Sequence, residues 1–215
     1  MSDNFKIQVI RPFGPSIAKV QIPEELIKKL NDYVDETIKD EKKSKEQDQG
    51  KKLVGNVTQE FKLDNKFLDS SGFLKFLGVS VQNWIKASGS SSITKFDILD
   101  SWIVRQFKNE FNPIHWHSGH VSGVGYLKVP KTWGENIQET KRINKNGRLE
   151  LIHGTRMFLS QSTFCVEPRV GDFYFFPNYM MHAVYPFLES SDERRSVSFN
   201  ANIDDKVYNV YKGYL

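Results

Sequence analysis

The chain has 215 residues, 39% of them hydrophobic and 13% aromatic, which is enough bulk for one packed core and too much for a disordered polymer. Its 30 Lys and Arg against 26 Asp and Glu leave a net charge of +4, too small for a dedicated nucleic-acid binder, so nucleic acid is not an expected partner. One cysteine, Cys165, excludes an internal disulfide framework and any site of several thiolates. No apolar run approaches the roughly 18 residues of a membrane span, and MSDNFKIQV lacks a signal-peptide core, so a cytoplasmic chain with no membrane partner is expected.

In chain order, FKIQVIRPFG and SIAKVQIP are two short alternating runs broken at Pro12 and Gly14-Pro15, the pattern of a hairpin or two edge strands. Pro23-Glu24-Glu25 then opens a helix whose stripe is Leu26, Leu30, Val34 and Ile38. The mixed-charge run from Glu36 to Lys52 reads as a solvated helix end or linker. A second helical region covers Asn65 to Ala87, with Phe67, Phe73, Phe76, Leu77, Val81 and Trp84, and ends in ASGSSS. From Ile93 onward strands are expected at 98–107, 120–129, 149–152, 173–176 and 196–203, divided by turn signals such as Asn112-Pro113, Lys145-Asn146-Gly147 and Arg169-Val170-Gly171-Asp172. The segment 128–148 carries six basic and two acidic residues and reads as a loop that either covers an entrance or is simply solvated. Helices first and short strands after predict a single mainly β domain: supporting elements in 1–92, a barrel or double-sheet sandwich in 93–203, and an extension over 204–215.

Three of the five histidines fall within six residues, and on an extended strand His115 and His117 project to one side while Trp116 projects to the other. Two imidazoles on one strand form a chelating pair for iron, zinc, copper or nickel and need one more ligand. His182, after the apolar strand Gly171 to Pro177, is the candidate; His120 and His153 read as structural. Further on, Arg194, Ser196, Ser198 and Asn200 share one strand face. A guanidinium turned inward needs an anion, its planar fork suits a carboxylate, and Ser196 adds a donor. A dicarboxylate that chelates a metal at one end and meets Arg194 at the other accounts for both clusters.

Four segments in order carry a family resemblance: His115-Trp116-His117, Ser122-Gly123-Val124-Gly125-Tyr126-Leu127, Gly171 to Asn178 leading to His182, and Arg194-Arg195-Ser196-Val197-Ser198-Phe199-Asn200. Over Trp102 to Ile203 the chain resembles the 2-oxoglutarate and Fe(II)-dependent oxygenase superfamily, in its prolyl-hydroxylase-like branch. The resemblance implies a double-stranded β-helix (jelly roll) buttressed by helices. It further implies Fe(II) on His115, His117 and His182, and 2-oxoglutarate held at its far carboxylate by Arg194 and Ser196 with Tyr126. It also implies O₂ as cosubstrate and hydroxylation of a primary substrate whose leading class is a protein or peptide. One departure stands out: most of the superfamily has His-x-Asp or His-x-Glu where this chain has His-x-His. Asp100 is an alternative carboxylate, whereas Asp172 reads as a turn residue. Two other readings stay open, a non-catalytic metal- or small-molecule-binding barrel and a three-histidine cupin-like dioxygenase that does without 2-oxoglutarate.

Overall fold

A computed structural model describes residues 6–10, 14–50, 54–89 and 91–209. Pro12 and residues 210–215 of the expected C-terminal extension lie outside the described residues. Strands β1 (Ile7–Ile10) and β2 (Ile17–Gln21) pair antiparallel, as the two N-terminal runs imply. Helix α1 (Glu24–Lys39) buries Leu26, Leu30 and Val34 of its stripe, and Ile38 packs on the same cluster. The charge run that follows forms a further short helix, α2 (Glu41–Gln47), which buries no residue and is capped by Asp40 accepting from the amides of Lys42 and Lys43.

After β3 (Gln59–Lys62), the single helical region read from Asn65 to Ala87 is two helices, α3 (Asn65–Ser70) and α4 (Phe73–Gly89). The break sits at Gly72, whose φ of +86° no helix accommodates. The remaining strands are β4 (Phe96–Gln106), β5 (Asn112–His115), β6 (Val121–Lys128), β7 (Leu149–Ile152), β8 (Thr163–Val166), β9 (Asp172–Pro177), β10 (Met181–Val184) and β11 (Arg194–Ile203). A final helical turn, α5 (Asp205–Tyr208), follows them, so helix does not cease entirely after residue 92. Asn112-Pro113 opens β5 instead of forming a turn, which is permissible because β5 is an edge strand and proline's missing amide faces no partner there.

Seven strands form one antiparallel sheet in the order β1-β2-β9-β6-β11-β4-β3, and four form a second in the order β5-β10-β7-β8. Strand alternation divides the core in two. On β9, Phe173 and Phe175 join α1 and α4 in one cluster, while Tyr174 and Phe176 join Leu149, Leu151, Val166 and Val184 of the smaller sheet in another. On β11, Val197, Phe199, Ala201 and Ile203 face the helices, so the alternate residues face the space between the sheets. Gly123 and Gly125 on β6 let Phe173 and Phe199 lie flat on the helix side; a Cβ at Gly125 would stand 2.3 Å from Phe173 Cδ2. Among the described residues no helix is long and apolar enough to cross a membrane.

Candidate metal and cosubstrate site

The gap between the sheets holds the predicted cluster. Strands β5 and β10 pair with His115 directly opposite His182, which sets the two imidazoles side by side with ring centroids 4.2 Å apart. His117 lies just past the end of β5, where its amide donates to the carbonyl of Asn178, and its ring sits 5.0 Å from His115 and 4.9 Å from His182. One nitrogen from each of the three rings lies within 4.8 Å of the other two. Trp116, between the two histidines and just past the end of β5, projects outward and is 67% exposed.

Backbone carbonyls orient two of the rings: Nδ1 of His115 bonds Pro113 O at 2.7 Å, and Nδ1 of His182 bonds Met180 O at 2.9 Å. With Nδ1–H donating, each Nε2 keeps its lone pair for a cation. Burial lowers the pKa of all three, His117 to about 4 and His182 to about 3, with neighbouring imidazoles adding to the effect at His117 and His182, so the rings are neutral at pH 7. Neutral imidazoles converging in this way form a ligand set for a borderline divalent ion.

Neither aspartate completes that set. Asp100 is exposed and paired with Lys62 at 2.9 Å. Asp172 is a buried strand residue, not a turn residue, paired with Lys19 at 2.7 Å; Gly171, with φ +90°, makes the turn before it. His120 stacks on Tyr208 with centroids 4.0 Å apart and bonds the backbone of Ile203, so it neither pairs with His117 nor joins the cluster.

The cavity bounded by the three histidines reaches Arg194, Ser196 and Ser198 on β11, and Phe176 closes one wall against His182 at 5.0 Å. Arg194 and Arg195 are both buried, on opposite faces of β11, and their surroundings differ in kind. Arg195 meets Asp35 and Glu193 at 2.6 Å each and Asn31 at 2.9 Å, so it is locked into the helix-facing side. Arg194 has no carboxylate partner among the described residues, its Nε has no hydrogen bond of normal geometry, and beside the nearby Tyr126 hydroxyl its acceptor is the neutral Gln106. A buried guanidinium left without a counter-charge is costly unless an anion joins it.

Ser196 is in register with Tyr126 across β11 and β6. Tyr126 is fully buried with an unpartnered hydroxyl, and its ring lies 5.2 Å from the Arg194 guanidinium. It stands behind the cavity wall, not on it, and burial raises its pKa to about 12, so it stays a neutral donor. A neutral nitrogen donor set beside an unneutralised cation fits a metal chelated by a dianion, which is the chemistry of Fe(II) with 2-oxoglutarate. Trp133 of the basic loop packs edge-on against Phe187 at 5.6 Å and does not line this cavity.

Residues 100–200 match the family described as "Putative 2OG-Fe(II) oxygenase". No curated protein matches the chain. Among solved structures it is similar to a prolyl-4-hydroxylase of Pseudomonas putida at a TM-score of 0.51 and 16% identity, covering 86% of this chain and 91% of that one. It is also similar to a viral collagen prolyl hydroxylase from Paramecium Bursaria Chlorella virus-1, in complex with 2-oxoglutarate, at 0.50 and 13%, covering 86% and 94%. A third likeness is to the α-ketoglutarate-dependent carbocyclase SnoK of nogalamycin biosynthesis, at 0.55 and 12%, covering 87% and 79%. At these identities the structural likeness establishes the double-stranded β-helix fold alone. The family match covers residues 100–200, just under half of the chain, and with the three-histidine cluster inside it makes the chain similar to the 2-oxoglutarate and Fe(II)-dependent oxygenases, with Fe(II) and 2-oxoglutarate the cofactors that these residues fit.

Proposed function

We propose that the chain is a 2-oxoglutarate-dependent dioxygenase that hydroxylates a protein or peptide side chain, with Fe(II) on His115, His117 and His182 and the far carboxylate of 2-oxoglutarate on Arg194, Ser196 and Tyr126. The observation that carries this reading is the shared cavity, with three neutral imidazoles on one wall and an unneutralised buried guanidinium on another. When bound, the iron and the oxoacid together supply O₂ activation, with succinate and CO₂ as the coproducts.

The protein's own part is orientation. Pro113 and Met180 carbonyls fix the tautomers of His115 and His182. Arg194 presents its Nε–H edge to the carboxylate, Ser196 adds a hydroxyl, and the Tyr126 hydroxyl stands behind them. Phe176, Val124 and Leu149 keep bulk water from the space between. A second cavity shares Trp102 and His117 with the first and is lined by Gln49, Lys62, Asp100 and Asn200. Side-chain amides and an ion pair beside the proposed iron suit peptide groups better than a bare hydrocarbon. Two of the structurally similar proteins are named as prolyl hydroxylases, which supports the same substrate class.

The test is succinate release with Fe(II), 2-oxoglutarate and a peptide library, read with the one-oxygen mass increase of a modified peptide. His182→Ala and Arg194→Ala should each abolish both signals. A second reading, a three-histidine dioxygenase without 2-oxoglutarate, draws on the imidazole of His117 standing where a carboxylate is usual. It requires Arg194→Ala to leave turnover intact.

A further inference from the structure

We propose that Gln106 is a positioning residue that aims the Arg194 guanidinium at the far carboxylate of 2-oxoglutarate, an inference that rests on the role given to Arg194 above. Gln106 is the last residue of β4, fully buried, and directly opposite Arg194 across β4 and β11. It does not line the cavity, so it acts through the arginine and not on the cosubstrate.

Its amide is fully used. Nε2 donates to the carbonyl of Glu110 and, at 3.1 Å, to that of Tyr185, while Oε1 accepts from Arg194 Nη1 at 2.6 Å. The opposite amide orientation would set Oε1 against two carbonyl oxygens and the NH₂ against a guanidinium N–H, so the geometry admits only one. The two carbonyls come from the turn ahead of β5 and from the residue after β10, the strands that carry His115 and His182. One side chain therefore ties the arginine to both histidine strands.

The neutrality of this tether matters. Arg195, held by Asp35 and Glu193, has its charge compensated internally, whereas an amide acceptor fixes Arg194 while leaving the full charge for a ligand. With Nη1 occupied, the unpartnered Nε–H belongs to the guanidinium edge that remains, and that edge matches a carboxylate bidentately.

The test is anoxic calorimetry on the Mn(II)-loaded full chain with two ligands: 2-oxoglutarate, and 2-oxobutyrate, which has the same oxoacid head and no far carboxylate. Wild type should bind 2-oxoglutarate much more tightly. Gln106→Leu should weaken 2-oxoglutarate about tenfold or more, the usual worth of a hydrogen bond to a charged group, and leave 2-oxobutyrate unchanged. Gln106→Glu keeps the volume and the acceptor but neutralises the arginine, so it should show the same selective loss and decides the matter if the leucine variant does not fold. Equal weakening of both ligands marks general damage and overturns the proposal, as does unchanged 2-oxoglutarate binding in the variants. If Arg194→Ala is selective and the Gln106 variants are not, the positioning role alone fails; if Arg194→Ala is itself not selective, the reading of Arg194 fails with it.

Discussion

Glu60 offers a test of the structure that is independent of any ligand. It lies on β3 opposite Val104, fully buried, and neither carboxylate oxygen has a hydrogen-bond partner. Burial, with Asp48 and Glu110 nearby, raises its pKa from 4.5 to about 7. At about 1.4 kcal/mol per pKa unit, charging the folded form costs about 3 kcal/mol more than charging the unfolded one. Because the folded state keeps its proton over the interval from 4.5 to about 7, stability is full below the unfolded pKa and declines as pH rises through the folded one. Between pH 5 and pH 8 the loss is about 2–3 kcal/mol, which at this chain length is a drop of about 5–10 °C in Tm. Glu60→Gln keeps the shape and removes the titration. Unfolding of wild type and variant should be followed from pH 5 to pH 8, with the difference between them as the quantity of interest, since a buried amide carries its own constant cost. A difference that does not move with pH refutes the placement of Glu60 as a buried, unpaired carboxyl.

The two arginines should part company on mutation: Arg195→Ala, which removes a buried guanidinium from a network in which Asp35 and Glu193 keep only Lys128 and Arg105, should cost about 1–3 kcal/mol in denaturant unfolding, while Arg194→Ala leaves the midpoint unchanged or raised and strongly weakens 2-oxoglutarate binding. The reverse pattern contradicts the assignment of one arginine to structure and the other to the ligand. Gly125→Ala sets a Cβ 2.3 Å from Phe173 Cδ2 and 2.9 Å from Ile22 Cδ1 and should lower stability by about 1–3 kcal/mol, since the Phe173 ring, packed among Phe76, Phe175 and Phe199, must shift; an unchanged denaturation midpoint counts against that packing. His117 and His182, held near pKa values of about 4 and about 3, resist protonation, so the loss of Mn(II) affinity between pH 7 and pH 5 should follow at most the one proton of His115. A loss that follows two or three protons over that interval would place the rings in solvent.

Much of this site is written in short-range pattern. Alternation along one strand separates Arg194, Ser196, Ser198 and Asn200 from Val197, Phe199 and Ala201, and the structure keeps that division. The same rule places His115 opposite in sense to Trp116 before any partner is known. Proximity of His182 to His115 depends instead on the register of β10 against β5, strands far apart in the chain, and no local signal encodes it. Strands β3, β8 and β10, four residues each, are not read from the sequence, although β7 of the same length is. The break at Gly72 is masked because apolar residues keep helical spacing on both sides of it. Arg195 looks like half of an ordinary surface doublet until α1 brings Asn31 and Asp35 over that face of the sheet. Gln106 is the plainest omission: at the end of a strand, glutamine reads as solvent-facing, and its role rests on two carbonyls and a guanidinium supplied by three other segments.

The most direct test of the central claim is an anoxic titration of the full chain with Fe(II) and 2-oxoglutarate, followed by the visible charge-transfer band that bidentate chelation produces. The band should saturate at one iron per chain in wild type, vanish in His182→Ala, and require far more 2-oxoglutarate in Arg194→Ala. No band in wild type, or an undiminished band without His182, would show that the three imidazoles and the buried guanidinium do not form the site described.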